Sequence, residues 1–304
     1  MFSTPKDNHD ANYYKLPEDH LKIAIQALNM GETKHALEHV AEALAFQPQD
    51  AEAHNLLDKI LASHPFPLEL TTWDNPPVPY TIAAMRAYTF WRLDRPDDAL
   101  NIMAEIYQVI EGLPYLPWLN EWLKDTTKLN AVRPVTMAPL LFHLSSKIKP
   151  GLSPDDHQHL SNLLETLEAY QEKFEQDSKV GMFLSIMNRK LGNLDRAFTL
   201  AYMAYRSHPD YFTADALGNV YRAKGMIEEA VQFYQEALSY DPKDLAIRLD
   251  IGDTLCQDGQ IEKGLKAYRE VLKVEPQHQW AYPSVLYYQG LLEPDGDWSE
   301  RLEK

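Results

Sequence analysis

One short run in this chain has the makings of a hydrolytic centre. His35, Ala36, Leu37, Glu38 and His39 follow the order H-x-x-E-H, in which two imidazoles one helical turn apart can hold a zinc ion while the carboxylate activates water. Other reactive side chains are sparse. His157 and His159 stand two residues apart, so on a helix they face different directions. Cys256 is the single cysteine; it has no disulfide partner in the chain, which suits a reducing compartment, and no cysteine cluster can hold zinc or iron. Phosphate-cradling loop, dinucleotide fingerprint and nucleophile elbow are all missing.

Whether the histidines do chemistry depends on the element that carries them. Tyr211 to Asp244 reads YFTADALGNVYRAKGMIEEAVQFYQEALSYDPKD. Gly218 and Ala230 are small where two antiparallel helices must cross closely, and Tyr221 and Tyr234 fill the space beside them. Gly225 suits a turn, and Pro242 ends the second helix. The pattern recurs. Shifted by 34 residues come Ile251-Gly252, Leu255, Gly259, Gly264, Tyr268, Val271 and Pro276; shifted back by 33 come Leu184-Ser185, Gly192, Ala197, Ala201, Ala204 and Pro209. A further copy holds Ile23-Ala24, Ala27, Gly31, Ala36, Val40, Ala43 and Pro48, and a degenerate one runs from Tyr80 to Glu111 with Asp94 at the turn position. Gly264 replaces the usual Ala and is expected to weaken its helix by about 1 kcal/mol.

This order of residues resembles the tetratricopeptide repeat (TPR), a helix-turn-helix of 34 residues. The resemblance implies an all-α fold, a TPR-like α-solenoid of helix-turn-helix repeats with an irregular helical middle segment. It also places Ala36 at the small crossing position, with His35 and Glu38 on the solvated side. A zinc-dependent hydrolase using His35, Glu38 and His39 is therefore a remote alternative, and no metal, cofactor or enzymatic activity is expected.

The expected organisation is a flexible tail over 1–15 and an N-terminal degenerate repeat block over 16–111. An irregular helical connector follows over 112–177, then a C-terminal repeat block with a capping helix over 178–304. Within the first block, Leu56, Leu57, Ile60 and Leu61 form the apolar stripe of a helix. After it, five prolines between His64 and Tyr80 impose an extended loop over 64–79, with Trp73 as its anchor. In the connector, Trp118, Trp122 and Leu123 mark one helix. Ser153, Pro154, Asp155 and Asp156 start another, with Leu160, Leu163, Leu164, Leu167, Tyr170 and Phe174 along its apolar face.

The 304 residues hold 29 Lys and Arg against 45 Asp and Glu, a formal charge of −16. Such a surface repels phosphate backbones and anionic lipid heads, so neither nucleic acid nor a membrane is the expected partner. The first residues lack a basic segment followed by an apolar one, and no run of 18 apolar residues occurs. A cytoplasmic location is the simplest expectation.

In the family that the chain resembles, first helices line a concave groove. Carried over by position, that groove holds Lys179, Met182, Ile186 and Arg189, then Phe212, Asp215, Asn219 and Arg222, then Ala246, Leu249, Asp253, Trp280 and Tyr287. Phe212 and Leu249 are expected to pack between repeats instead. Asn219 can pair with peptide amides, and the charged and aromatic groups suit side chains of mixed character. The clamp with which some relatives grip acidic chaperone tails is not matched, since Asp215-x₃-Asn219, Asp250 and Trp280-x₃-Ser284 are too poor in cations. The function implied is a non-enzymatic protein–protein interaction module. It would act as an adaptor or scaffold for a protein or peptide partner that is basic or mixed in charge. The alternative is a dedicated chaperone, immunity or inhibitor protein for a single partner.

Overall fold

A computed structural model of the chain describes residues 2–3, 17–63, 78–168 and 177–293. Outside the described residues lie the tail apart from Phe2–Ser3, the Pro-rich loop up to residue 77 with Trp73, Tyr170, Phe174, and the expected cap from Ser299. The chain divides into two compact units, Met1–Phe174 and Glu175–Lys304. Every element of any length is helical. The one strand pairing among the described residues is a parallel bridge of Phe2–Ser3 with Val78–Pro79.

Among the described residues, the second unit holds three antiparallel helix pairs and one further helix. The pairs are α10 (Ser178–Lys190) with α11 (Leu194–Ser207), α12 (Tyr211–Ala223) with α13 (Ile227–Tyr240), and α14 (Leu245–Gln257) with α15 (Ile261–Val274); α16 is Ala281–Leu292. Each first helix starts on an aspartate. Asp177 accepts from the Lys179 and Val180 amides, Asp210 from that of Thr213, and Asp244 from that of Ile247. These carboxylates satisfy amides that have no intrahelical partner and complement the positive end of the helix.

Within a pair, the crossing is set by size. A Cβ on Gly218 would lie 2.8 Å from the Tyr234 ring, and one on Gly252 2.7 Å from the Tyr268 ring. Glycine thus makes room for a fully buried tyrosine from the second helix. The first pair reverses the sizes. Ser185 takes the glycine position and donates its hydroxyl to the Ala197 carbonyl at 2.8 Å, while Ala201 takes the tyrosine position.

The first unit holds α1 (Pro17–Asn29), α2 (Thr33–Phe46), α3 (Ala51–Ser63), α4 (Tyr80–Arg92), α5 (Pro96–Val109), α6 (Leu116–Leu123), α7 (Thr126–Ala131), α8 (Pro134–Lys147) and α9 (Pro154–Glu168). Leu56, Leu57, Ile60 and Leu61 are buried on α3, as their spacing predicts. The α4/α5 pair turns at Asp94 with φ 56°, where the α1/α2 turn has Gly31 at 78°. The degenerate copy has therefore kept the left-handed turn without the glycine that suits it.

Up to Phe174, the segment read from sequence as a connector belongs to this first unit: α8 packs on α5, and α9 on α6. An aromatic cluster joins α3, α4 and α6. The Trp91 and Trp122 rings stack at 5.8 Å, while His54 and Tyr115 meet Trp118 edge-on at 4.5 and 5.2 Å. Ser153 starts α9 as expected, accepting from the Asp156 amide at 3.1 Å.

Candidate functional site: the first-helix face of the second unit

The side chains that carry charge on this face come from α10, α12 and α14, whose starts are fixed by the aspartate caps. On α10, Lys179 is exposed in the first turn. Met182 is only 7% exposed and packs with Ala204 and Ala216, with Ile186 against the same cluster. Met182 is thus taken up by packing between helices and is lost to a groove. One repeat on, the same position is held by Asp215; here the apolar side chain packs against the small Ala204 and Ala216 instead.

Arg189, Asp215, Asn219 and Arg222 are all half-buried. The Asn219 amide donates to Asp215 twice, to its backbone oxygen at 3.0 Å and to Oδ1 at 2.8 Å. Those two bonds use the donors that were expected to meet a peptide. Arg222 reaches the next first helix, with Nη1 donating to Asp250 Oδ1 at 3.1 Å and Nη2 to Gln257 Oε1 at 3.2 Å. Burial, then the nearby Asp250 charge, raises the Asp215 carboxyl to about 7; Arg189 and Asn219 oppose the rise. The Asp250 carboxyl is also raised, mainly by burial, against the pull of Arg222.

Two polar atoms in this region are buried without a hydrogen bond, Arg189 Nε and the Tyr234 hydroxyl. Burial lowers the Arg189 pKa and raises that of Tyr234. One repeat on, the Tyr268 hydroxyl has found an acceptor in Asp253 Oδ1. Asp250, Tyr234 and Tyr268 were not among the residues expected to bind. Only the helix pairing brings their charges and hydroxyls to the same face.

Trp280 and Tyr287, at α16, are 65% and 63% exposed. Phe212, expected to pack, is 62% exposed, its ring edge-on to Tyr211 at 5.1 Å. Leu249 does pack, against the cluster around Cys256, Leu265 and Val285. Ala246 is exposed.

Elsewhere, the carboxylate that meets His35 is Glu32, at 3.0 Å from Nδ1, and among the described residues no group of three or more His, Cys, Asp or Glu is placed to hold a metal. Cys256 is buried, which lifts its thiol to about 11, so it is a poor nucleophile. In the first unit a cavity of about 910 Å³ opens among His54, Tyr88, Trp118, Asn120, Lys128 and Glu165. Trp118 itself is 3% exposed, so its ring serves the packing more than the cavity. No helix among the described residues is long and apolar enough to cross a membrane.

The tetratricopeptide repeat family matches residues 221–282. No curated protein matches the chain. Among solved structures, a tetratricopeptide repeat protein from Parabacteroides merdae has a TM-score of 0.41 at 12% identity, covering 90% of this chain and 98% of its own. A thermophilic repeat protein of the same kind from Thermus thermophilus gives 0.36 at 18%, covering 79% and 99%. MamA of strain MSR-1 gives 0.39 at 20%, covering 44% and 78%. TM-scores below one half carry no functional weight.

Proposed function

We propose that the chain, whose residues 221–282 match the tetratricopeptide repeat family, acts as an adaptor or scaffold and holds a protein partner on the first-helix face of its second unit. Tetratricopeptide repeats serve in general as protein–protein interaction modules. What supports this face is a half-buried charge network that crosses the seam between helix pairs. Arg222 and Asp250 tie two pairs together, and the Arg189 and Asp215 charges act on the same pair, each side chain half-buried. Charges held partly out of water interact more strongly with a partner's charges than fully exposed ones do.

The chemistry suits a partner segment that offers both an acceptor and a cation. A backbone carbonyl or carboxylate would meet the Arg189 guanidinium, while Asp253, which accepts from the Tyr268 hydroxyl rather than from a cation, favours a lysine or arginine. Exposed Phe212, Trp280 and Tyr287 provide apolar contact area.

To test this, the partner is identified by affinity purification from the native cell and titrated against wild type, Arg189→Ala, and Asn219→Ala combined with Arg222→Ala. Losing a hydrogen bond to a charged group costs about 1.5–3 kcal/mol, or roughly ten- to a hundredfold in affinity. Weakening of that size, with thermal melts showing a folded chain, is expected. Unchanged affinity in all variants would place the partner elsewhere.

A further inference from the structure

Three histidines of the first unit lie in a chain that joins α1 to α2. His20 Nδ1 is 2.8 Å from His39 Nδ1, His39 Nε2 is 3.2 Å from His35 Nε2, and His35 Nδ1 is 3.0 Å from Glu32 Oε2. His35 is exposed, and His20 and His39 are half-buried. The H-x-x-E-H reading took Glu38 as the working carboxylate, but the carboxylate in contact is Glu32.

We propose that His35 and His39 form an exchangeable, non-catalytic site for a divalent cation of the zinc type, bound between their Nε2 atoms, with Glu32 and His20 as the outer partners. Three observations converge on it. First, the two Nε2 atoms face each other at 3.2 Å. Two metal–nitrogen bonds of about 2.0–2.1 Å close over that gap at an angle of about 100°, near the tetrahedral value. Second, each imidazole has an acceptor on its far nitrogen, Glu32 for His35 and His20 for His39. That is the arrangement that fixes the tautomer of a metal-binding histidine and raises its basicity. Third, the partners come from both helices of a packed pair, so the rings are held before the ion arrives.

The proton count closes in both states. Without metal, three neutral imidazoles carry three protons. His35 donates to Glu32, His39 Nε2 to His35, and His20 Nδ1 to His39. With metal between the Nε2 atoms, the His39 proton moves to Nδ1 and donates to His20 Nδ1, and the His20 proton moves to its Nε2. Three protons remain, so binding at a pH where all three rings are neutral releases none. Below that pH, protons compete with the ion for the same nitrogens. With two protein ligands the remaining positions fall to water, which separates this site from a closed structural zinc centre.

The test titrates chelator-treated full chain with Zn²⁺ by calorimetry at pH 8 in two buffers of different ionisation enthalpy. Expected are one equivalent bound and no proton release. His35→Ala and His39→Ala should each abolish that equivalent, and Glu32→Gln and His20→Ala should weaken it about tenfold. Because His39 is half-buried, the histidine ring resonances of wild type provide a second readout, with those of His35 and His39 shifting on addition of Zn²⁺. Equal binding by wild type and His35→Ala, or ring shifts confined to other histidines, would overturn the site. Release of a full proton at pH 8 would overturn the role of His20.

Discussion

A Cβ on Gly264 would stand 2.2 Å from Cys256 Sγ and 2.8 Å from the Gly252 carbonyl oxygen. Cys256 on α14 occupies the space that alanine fills in the neighbouring pair at Ala230, so Gly264 is the partner of a larger residue opposite. Helix propensity alone would make Gly264→Ala stabilising by about 1 kcal/mol, but overpacking costs about 1–3 kcal/mol. The single substitution should lower the urea midpoint, and adding Cys256→Ala should recover only part of the loss, because the approach to the Gly252 carbonyl remains. A midpoint raised by Gly264→Ala alone would show that the crossing has slack.

Asp94 is the one non-glycine among the described residues with positive φ, at 56°. Its carboxylate lies 3.2 Å from Lys128 Nζ but is largely exposed, and such surface pairs contribute about 0–1 kcal/mol. The left-handed backbone costs a non-glycine residue about 1–2 kcal/mol. Asp94→Gly should therefore raise stability by up to about 1 kcal/mol, measured by urea melts.

Tyr234 and Tyr268 should respond unequally to loss of the hydroxyl. Tyr234→Phe removes a hydroxyl with no well-aligned hydrogen bond, only a weak interaction with the Arg222 guanidinium, and should be close to neutral. Tyr268→Phe leaves the Asp253 carboxylate without its donor and should cost about 1–3 kcal/mol. Equal effects in paired urea melts would contradict the assigned contacts.

Asp215 makes stability depend on pH near neutrality. Its folded carboxyl titrates at about 7, whereas an unfolded aspartate does so at about 3.9. The folded state therefore binds the extra proton, and stability from this group falls as pH rises from about 4 to 7. Asp215→Asn should flatten that slope and gain on wild type most at pH 8, by an amount on the order of 2 kcal/mol. A constant difference between the two chains from pH 5 to 8 would count against the shift.

The repeats were legible because they are written in local terms. Turn residues such as Gly225 and size pairs such as Gly218 with Tyr234 depend on one helix pair and recur at a fixed period. Asp94 was legible by register alone. The site was less so. Asn219 and Arg222 were found by position, but their pairing with Asp215 and Asp250 was not, since Arg222 and Asp250 meet only through the stacking of one pair on the next. Met182 and Phe212 went the other way from expectation because a half-turn of a helix separates burial from exposure. The segment beyond Gly112 lost the period altogether, and the contacts of its Trp118 and Trp122, the latter with Trp91 of α4, follow no spacing rule.

Arg222 grows from one helix pair and ends on the next, so the seam there is a latch as well as a packed surface. Parting the two pairs would strand a half-buried guanidinium and carboxylate without each other. In an array held by nearest-neighbour contacts, such a latch makes the opening of one module the concern of its neighbour. Amide protons of α12 and α14 should then exchange with solvent in a single event, and Arg222→Ala should let them exchange independently.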